Sequence, residues 1–225
     1  MGRWPPGIVA LGAAHFLAWA LIQPLGAAGF ASLLADPASI LRGELWRLLS
    51  GTFAVPDLGM LVWVALALLF IAPEVERRMG TWRFVILYLG AGGAAAGALA
   101  LLSLVVPGVG ALGGPMASNL AVLAAFAWSA PDARVLFFLA LPVRAVHLLY
   151  AVVALRALSM WQAQAFLWPV ACEFLGLGVA ALMLRRGSLP SFHPIERWQN
   201  WRYRKRMQAF VVHPGGRRPP RDYLQ

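Results

Sequence analysis

Six long apolar stretches govern what this chain can fold into. The first, residues 8–28, reads IVALGAAHFLAWALIQPLGAA, and the others cover residues 57–73, 83–106, 113–130, 134–155 and 162–184. A run of about 20 apolar residues crosses the ~30 Å of hydrocarbon in a bilayer as a helix, because in lipid every backbone N–H and C=O must be paired within the segment. One globular core cannot hide so much apolar surface. Of all residues 60% are hydrophobic and 12% charged, where soluble domains carry about 25% charged residues. The expected fold is an all-α membrane protein with six spanning helices. Its second span is short and is bracketed by Pro56 and Pro73. Residues 8–26 are too long for the core of a cleavable signal and lack a small-residue cleavage site, so they read as a span.

Charge divides the chain in two. Residues 1–184 hold nine Arg against seven acids, whereas residues 185–225 hold ten Lys/Arg against Glu196 and Asp222. The expected organisation is a nearly neutral membrane domain, 1–184, followed by a basic tail, 185–225, whose end, PGGRRPPRDYLQ, has a disordered composition. An even number of spans puts both termini on one side, with Arg3, Arg77, Arg78, Arg83 and Arg134, and leaves Arg42, Arg47 and Arg156 opposite. Basic residues stay cytoplasmic, so both termini are expected in the cytoplasm, and in a bacterium the membrane is the inner one. The tail interleaves its Arg and Lys with Trp198, Trp201 and Tyr203. That pattern suits anionic lipid headgroups, at about 1 kcal/mol per basic residue. No nucleic-acid-binding fold accompanies it, so nucleic acid is not an expected partner.

The connection at 29–56 is long and mixes Leu, Ile, Phe and Trp with few charges. Structureless loops of that length are unusual, so short amphipathic helices lying in the interface are expected. Leu41, Leu45, Leu48 and Leu49 share helical spacing, and Trp46 suits headgroup depth. The stretch GALGGPMASNL at 110–120 presents a glycine-rich turn running into an apolar helix. Such turns often display a nucleophile, yet the central residue is Met116.

The order of segments resembles the rhomboid family. GELWRLLSGTF at 43–53 resembles the family's Trp-Arg loop through Trp46 and Arg47. PEVERRMGTWRFVILYLGAG at 73–92 resembles its turn between the second and third spans through Glu74, Glu76, Arg77, Gly80 and Arg83. GGPMASNLAVLAAFAWSAPDARVLFF at 113–138 resembles its serine-bearing loop and fourth span, and Gly176, Gly178 and Ala180 resemble the small residues of its last span. The resemblance implies a six-helix intramembrane fold. Family members that cut substrates use a serine at the start of the fourth span, a histidine in the sixth as its base, and a histidine and an asparagine in the second to hold the oxyanion. On this chain the serine position is Met116, in the frame Gly114-Pro115-Met116-Ala117. The second-span positions fall at Met60 and Val64, and the sixth-span histidine falls near Cys172. A thioether has no proton to give and valine has no donor. The resemblance therefore implies a pseudoprotease. The cavity of Gly113, Gly114, Pro115, Met116, Ser118, Asn119 and Glu173 would bind transmembrane segments of client proteins, and Trp46, Arg47, Glu74, Glu76, Arg77 and Gly80 would be structural.

Other polar residues each admit a plainer reading. Ser118 lies ~200° around a helix from Met116, and with Asn119 it reads as a cap of the fourth helix. Glu173, an acid in mid-span, pairs with Trp or Arg inside the bundle or engages a client. His15 and His147 read as packing histidines, Cys172 as inert packing, and Arg144 as snorkelling or paired. The four histidines and one cysteine lack ligand spacing, so no metal or cofactor is expected. The run Gly90, Gly92, Gly93 and Gly97 serves close helix packing. Two alternatives stand beside the pseudoprotease: an active intramembrane serine endopeptidase, and a small transporter using Glu173, which the lack of inverted repeats disfavours.

Overall fold

The computed structural model describes residues 5–131, 133–137, 141–162 and 167–185. The basic tail expected at 185–225 lies outside the described residues beyond Arg185. Helix α1 spans Pro6–Ile22, and a 3-10 turn at Gln23–Leu25 leads into α2, Gly26–Leu33. Short helices α3 (Pro37–Leu41) and α4 (Arg47–Phe53) fill the long connection, as its composition suggests. They are followed by α5 (Leu58–Phe70), α6 (Ala72–Met79) and α7 (Thr81–Leu102). After an irregular loop come α8 (Met116–Ser129), strands β1 (Arg134–Phe137) and β2 (Leu141–Arg144), then α9 (Ala145–Gln162), α10 (Leu167–Glu173) and α11 (Leu175–Arg185).

Among the described residues the fold is helical apart from that hairpin, and three helical stretches are long and apolar enough to cross a membrane: Pro6–Leu33, Thr81–Leu102 and Leu167–Arg185. A fourth results if α4 and α5, which meet at 96°, are counted as one broken span. Helices α8 and α9 occupy the expected fourth and fifth positions but are shorter. The expected fifth span is corrected at its start. Residues 134–137 and 141–144 pair as an antiparallel ladder, Arg134 opposite Arg144 and Phe137 opposite Leu141. Pro142 sits in β2, where it lacks a donor for any helix ladder. The interfacial segment holds two short helices, and the leucines of helical spacing are divided between them. Leu41 ends α3, Leu45 lies in the turn between them, and Leu48 and Leu49 belong to α4.

Helix α7 is the centre of the bundle. Its Phe84, Leu87, Tyr88 and Ala91 pack with Val64 and Leu68 of α5, Val75 of α6 and the Ala121–Ala127 run of α8. Further along, Ala95, Ala96 and Leu99 pack with Ala35, Ile40, Ala117 and Cys172. Small residues set these distances. A Cβ on Gly92 would collide with the Thr52 hydroxyl and lie 3.2 Å from Ser118 Oγ, and one on Gly176 would run into the Ala117 carbonyl.

The turn α6–α7 anchors the ends of other helices. Glu76 is 3% exposed and accepts the N–H groups of Gly7 (2.8 Å) and Ile8 (2.9 Å), two of the unpaired donors at the start of α1, as well as the Thr81 hydroxyl (2.7 Å). A negative group beside those N–H groups also meets the positive end of the helix dipole. At the opposite polarity, Arg78 donates to the Ser129 carbonyl at the end of α8 (2.6 Å) while Glu74 holds its guanidinium from behind (2.7 Å). Gly80 makes the turn into α7 at φ +82°, where a side chain is strained.

Removing Glu76 should therefore cost far more than removing Glu74, whose pairs are partly exposed. We expect Glu76→Ala to lose about 2–4 kcal/mol, several charge-assisted hydrogen bonds having been broken at a buried site. Glu74→Ala should lose about 1 kcal/mol or less. Reversible unfolding in mixed micelles measures both.

Candidate functional site

The loop before α8 is pinned before the helix begins. Ala35 and Leu112 exchange backbone hydrogen bonds (2.8 and 3.1 Å), and Gly114 N–H donates to the Gly51 carbonyl (2.8 Å). These bonds lay residues 112–114 along α4 and the segment before α3. Gly114 takes φ +93°, and a Cβ there would also meet the Met60 methyl. Met60 of α5 thus closes over the glycine turn. Pro115 is buried and precedes the first turn, and the Asn119 N–H reaches the Pro115 carbonyl at 2.7 Å.

The structure brings several of the expected positions together. Met60 lies against Gly114, two residues before Met116. Ala117 and Cys172 share one cluster, and Gly176, one turn beyond Cys172, touches the Ala117 backbone. Val64 is buried one turn beyond Met60, in the cluster around α7 and α8. Met116 and Asn119 remain half-buried.

Ser118 does not cap α8. The helix begins at Met116 with no side-chain cap, so Ser118 falls inside its first turn and faces α7. There it is fully buried and donates to the Tyr88 carbonyl at 2.5 Å. Its proton is directed at an amide oxygen, which is no base. The Tyr88 phenol points elsewhere and pairs with His15 Nε2 at 2.8 Å. His15 is buried against Phe53, ring centroids 4.8 Å apart, in keeping with a packing role. His147 differs from expectation: it is exposed on α9. Arg144 is exposed at the end of β2.

Glu173 finds a partner the sequence did not single out. It ends α10, is 5% exposed, and both the Nε (3.0 Å) and an Nη of Arg156 donate to it. The pair ties α9 to α10, which is the structural reading of Glu173. Arg47 is also engaged, donating to Glu44 (2.6 Å) and to the carbonyls of Ala31 (2.9 Å) and Leu34 (3.0 Å) at the end of α2. Trp46 beside it is exposed. No group of three or more His, Cys, Asp or Glu that would hold a metal ion occurs among the described residues.

Outside the apolar segments, the carboxyl of Asp36 is held below the usual aspartate range, chiefly by its hydrogen bond with Ser39, with Arg47 and Arg42 nearby. Asp36 caps α3, accepting the Ser39 N–H at 2.9 Å. Its lowered pKa means the cap stabilises the fold above the ordinary aspartate range and fails as pH falls through the lowered value. We expect Asp36→Asn to flatten the acid limb of the stability-pH curve while leaving the alkaline limb unchanged. A second expectation concerns close packing. Gly176→Ala should lose at least about 2 kcal/mol, because the Ala117 backbone cannot yield. Gly178→Ala, with open space around it, should be near neutral by the same unfolding assay.

A family model described as Rhomboid domain matches residues 42–183, more than half of the chain, from the end of α3 into α11. No curated protein matches the chain.

Proposed function

The chain belongs to the rhomboid family, and from that membership we propose that it is a member that holds transmembrane segments of other proteins within the bilayer without cleaving them. The observation that carries this reading is the start of α8, where the family's nucleophile position is Met116 and Met60 covers the adjacent turn. Serine proteolysis needs a hydroxyl, a base that takes its proton and donors for the oxyanion. The nearest hydroxyl in sequence, Ser118, is buried and bonded to a carbonyl, and the resemblance places the family's histidine near Cys172.

The same geometry suits holding. Met116, Met60 and Asn119 are partly accessible, and methionine adapts its flexible thioether to varied apolar partners. Helix α5 packs along α1 and leads into α6, and Leu58, Val62, Trp63, Leu66 and Leu69 are exposed on it. A client helix would approach along that face. Ser118 and Glu173 are withdrawn from client contact in this reading, the first by burial and the second by Arg156. Both termini lie in the cytoplasm, six helices cross the membrane, and the basic tail contacts anionic lipid.

Rhomboids are usually intramembrane serine proteases, and that usual activity is the second reading. It requires Ser118 to leave the Tyr88 carbonyl and find a base. The two separate in one experiment. The full-length protein in vesicles is given a single-span reporter and a fluorophosphonate probe, with Ser118→Ala in parallel. We expect no cleavage, no labelling, and reporter crosslinks from a photoreactive residue placed at Met116. Cleavage that is abolished in Ser118→Ala overturns the proposal, and so does the absence of any crosslink to the reporter.

A further inference from the structure

At the start of α8 two faces of the helix are already taken. Ala117 lies against Gly176 of α11 and in one cluster with Cys172, and Ser118 bonds α7 through the Tyr88 carbonyl. Successive residues of a helix point about 100° apart, so Met116 and Asn119, separated by about 60°, share the face left over. Both are half-buried. One turn further on, Leu123 and Phe126 on that side are buried, so the opening is confined to the first turn. We propose that Asn119 selects the client: the transmembrane segments that this chain holds carry a neutral hydrogen-bonding side chain (Asn, Gln, Ser or Thr) at mid-membrane depth, which pairs with the Asn119 carboxamide. The inference rests on the client-holding reading and names the class of segment held.

Depth supplies the argument. Helix α8 ends at Ser129, whose carbonyl accepts from Arg78 of the charged turn α6–α7 (2.6 Å), and the Arg77 side chain of that turn is 67% exposed. That end of α8 therefore lies at the polar surface. Asn119 stands ten residues earlier on the same helix, ~15 Å inward at 1.5 Å per residue, about half of a ~30 Å hydrocarbon layer. A carboxamide carries two N–H donors and an acceptor oxygen, and such groups are costly when left unpaired in hydrocarbon. The neighbouring polar side chains bond inward, Ser118 to the Tyr88 carbonyl and Glu173 to the Arg156 guanidinium. Asn119 differs: its backbone N–H reaches the Pro115 carbonyl, but its carboxamide has no partner among the described residues. The flanking thioethers of Met60 and Met116 are weak acceptors and donate nothing. A neutral side chain suits this site better than a charged one, because the acid nearest the site, Glu173, is already neutralised by Arg156 and an ion brought to this depth would stay unpaired.

The test uses the full-length protein in phosphatidylcholine vesicles with a photoreactive residue at Met116. It is given two Leu/Ala single-span reporters, identical but for one Asn in the middle of the span, at densities low enough to keep each reporter monomeric. Crosslink yield against reporter density gives the apparent affinity. An interhelical hydrogen bond strengthens association about three- to twentyfold, and the Asn reporter is expected to exceed its apolar twin by that ratio. Asn119→Leu should bring the ratio close to one, and so should moving the reporter's Asn two turns toward either end. Should Asn119→Leu fail to fold, the ratio and its dependence on depth in the otherwise unaltered protein decide. Equal yields from the two reporters overturn the inference and leave client holding intact, whereas no crosslink from either overturns both. A ratio that persists in Asn119→Leu gives the recognition to another residue and overturns the inference as well.

Discussion

The fold depends on how helix ends are closed where water is scarce. A helix leaves four N–H groups and four carbonyls unpaired at its termini, and near lipid each must find a partner within the protein. Helix α6 supplies several from one short charged turn. Glu76 receives the first N–H groups of α1, Arg78 reaches the Ser129 carbonyl at the end of α8, and Glu74 steadies Arg78. Acid meets the positive end of one helix dipole and base the negative end of another. Gly7 is part of the same device. A Cβ there would stand 3.0 Å from the Glu76 carboxylate oxygens, so any larger residue would push the carboxylate back by a few tenths of an ångström. Arg47 does comparable work at the end of α2 through the carbonyls of Ala31 and Leu34.

From that frame the region of α8 follows. The helix is short, and it is buried on nearly every side by α7, α9 and α11. Glycines let it lie close: Gly92 of α7 faces Thr52 and Ser118, and Gly176 of α11 faces the Ala117 backbone. The glycine turn ahead of it is fastened to α4 through Gly51 and covered by Met60. Ser118 is turned toward structure and bonds the Tyr88 carbonyl, whereas the buried Thr52 hydroxyl against Gly92 has no hydrogen-bond partner among the described residues. The partly accessible surface is left to Met116, Met60 and Asn119.

Much of this was legible in residue order. Each apolar stretch contains a helix, and the loop at 29–56 contains the short helices its composition implied, because apolar length and amphipathic spacing report directly on lipid contact. The turn with Glu74, Glu76 and Gly80 was recognisable as a motif, although Glu76's partners lie 68 and 69 residues away and no local pattern names them. The hairpin was not legible. VLFFLALPV is apolar throughout, and a continuous apolar run has no period to tell a strand from a helix. Ser118 was misplaced because capping preferences apply only at the true start of a helix, and α8 starts three residues earlier than a cap at Ser118 requires. The partner of Glu173 was hidden for the same reason as that of Glu76: Arg156 sits in a different helix, and sequence spacing carries no information on which helices adjoin.

The Arg156–Glu173 contact bears on how the protein is made. An unpaired charge in the middle of a helix costs about 2.5–3.5 kcal/mol when the translocation machinery releases it into lipid. Helix α9 carries Arg156, and α10 carries Glu173. Delivered singly, each helix would carry an unpaired charge; delivered together, the two would meet as an ion pair that offsets part of the cost. The ribosome emits Arg156 only 17 residues before Glu173, close enough for the pair to meet before either is committed to the bilayer. A charge that ties two helices together in the finished protein would then also set the order in which the nascent chain leaves the channel.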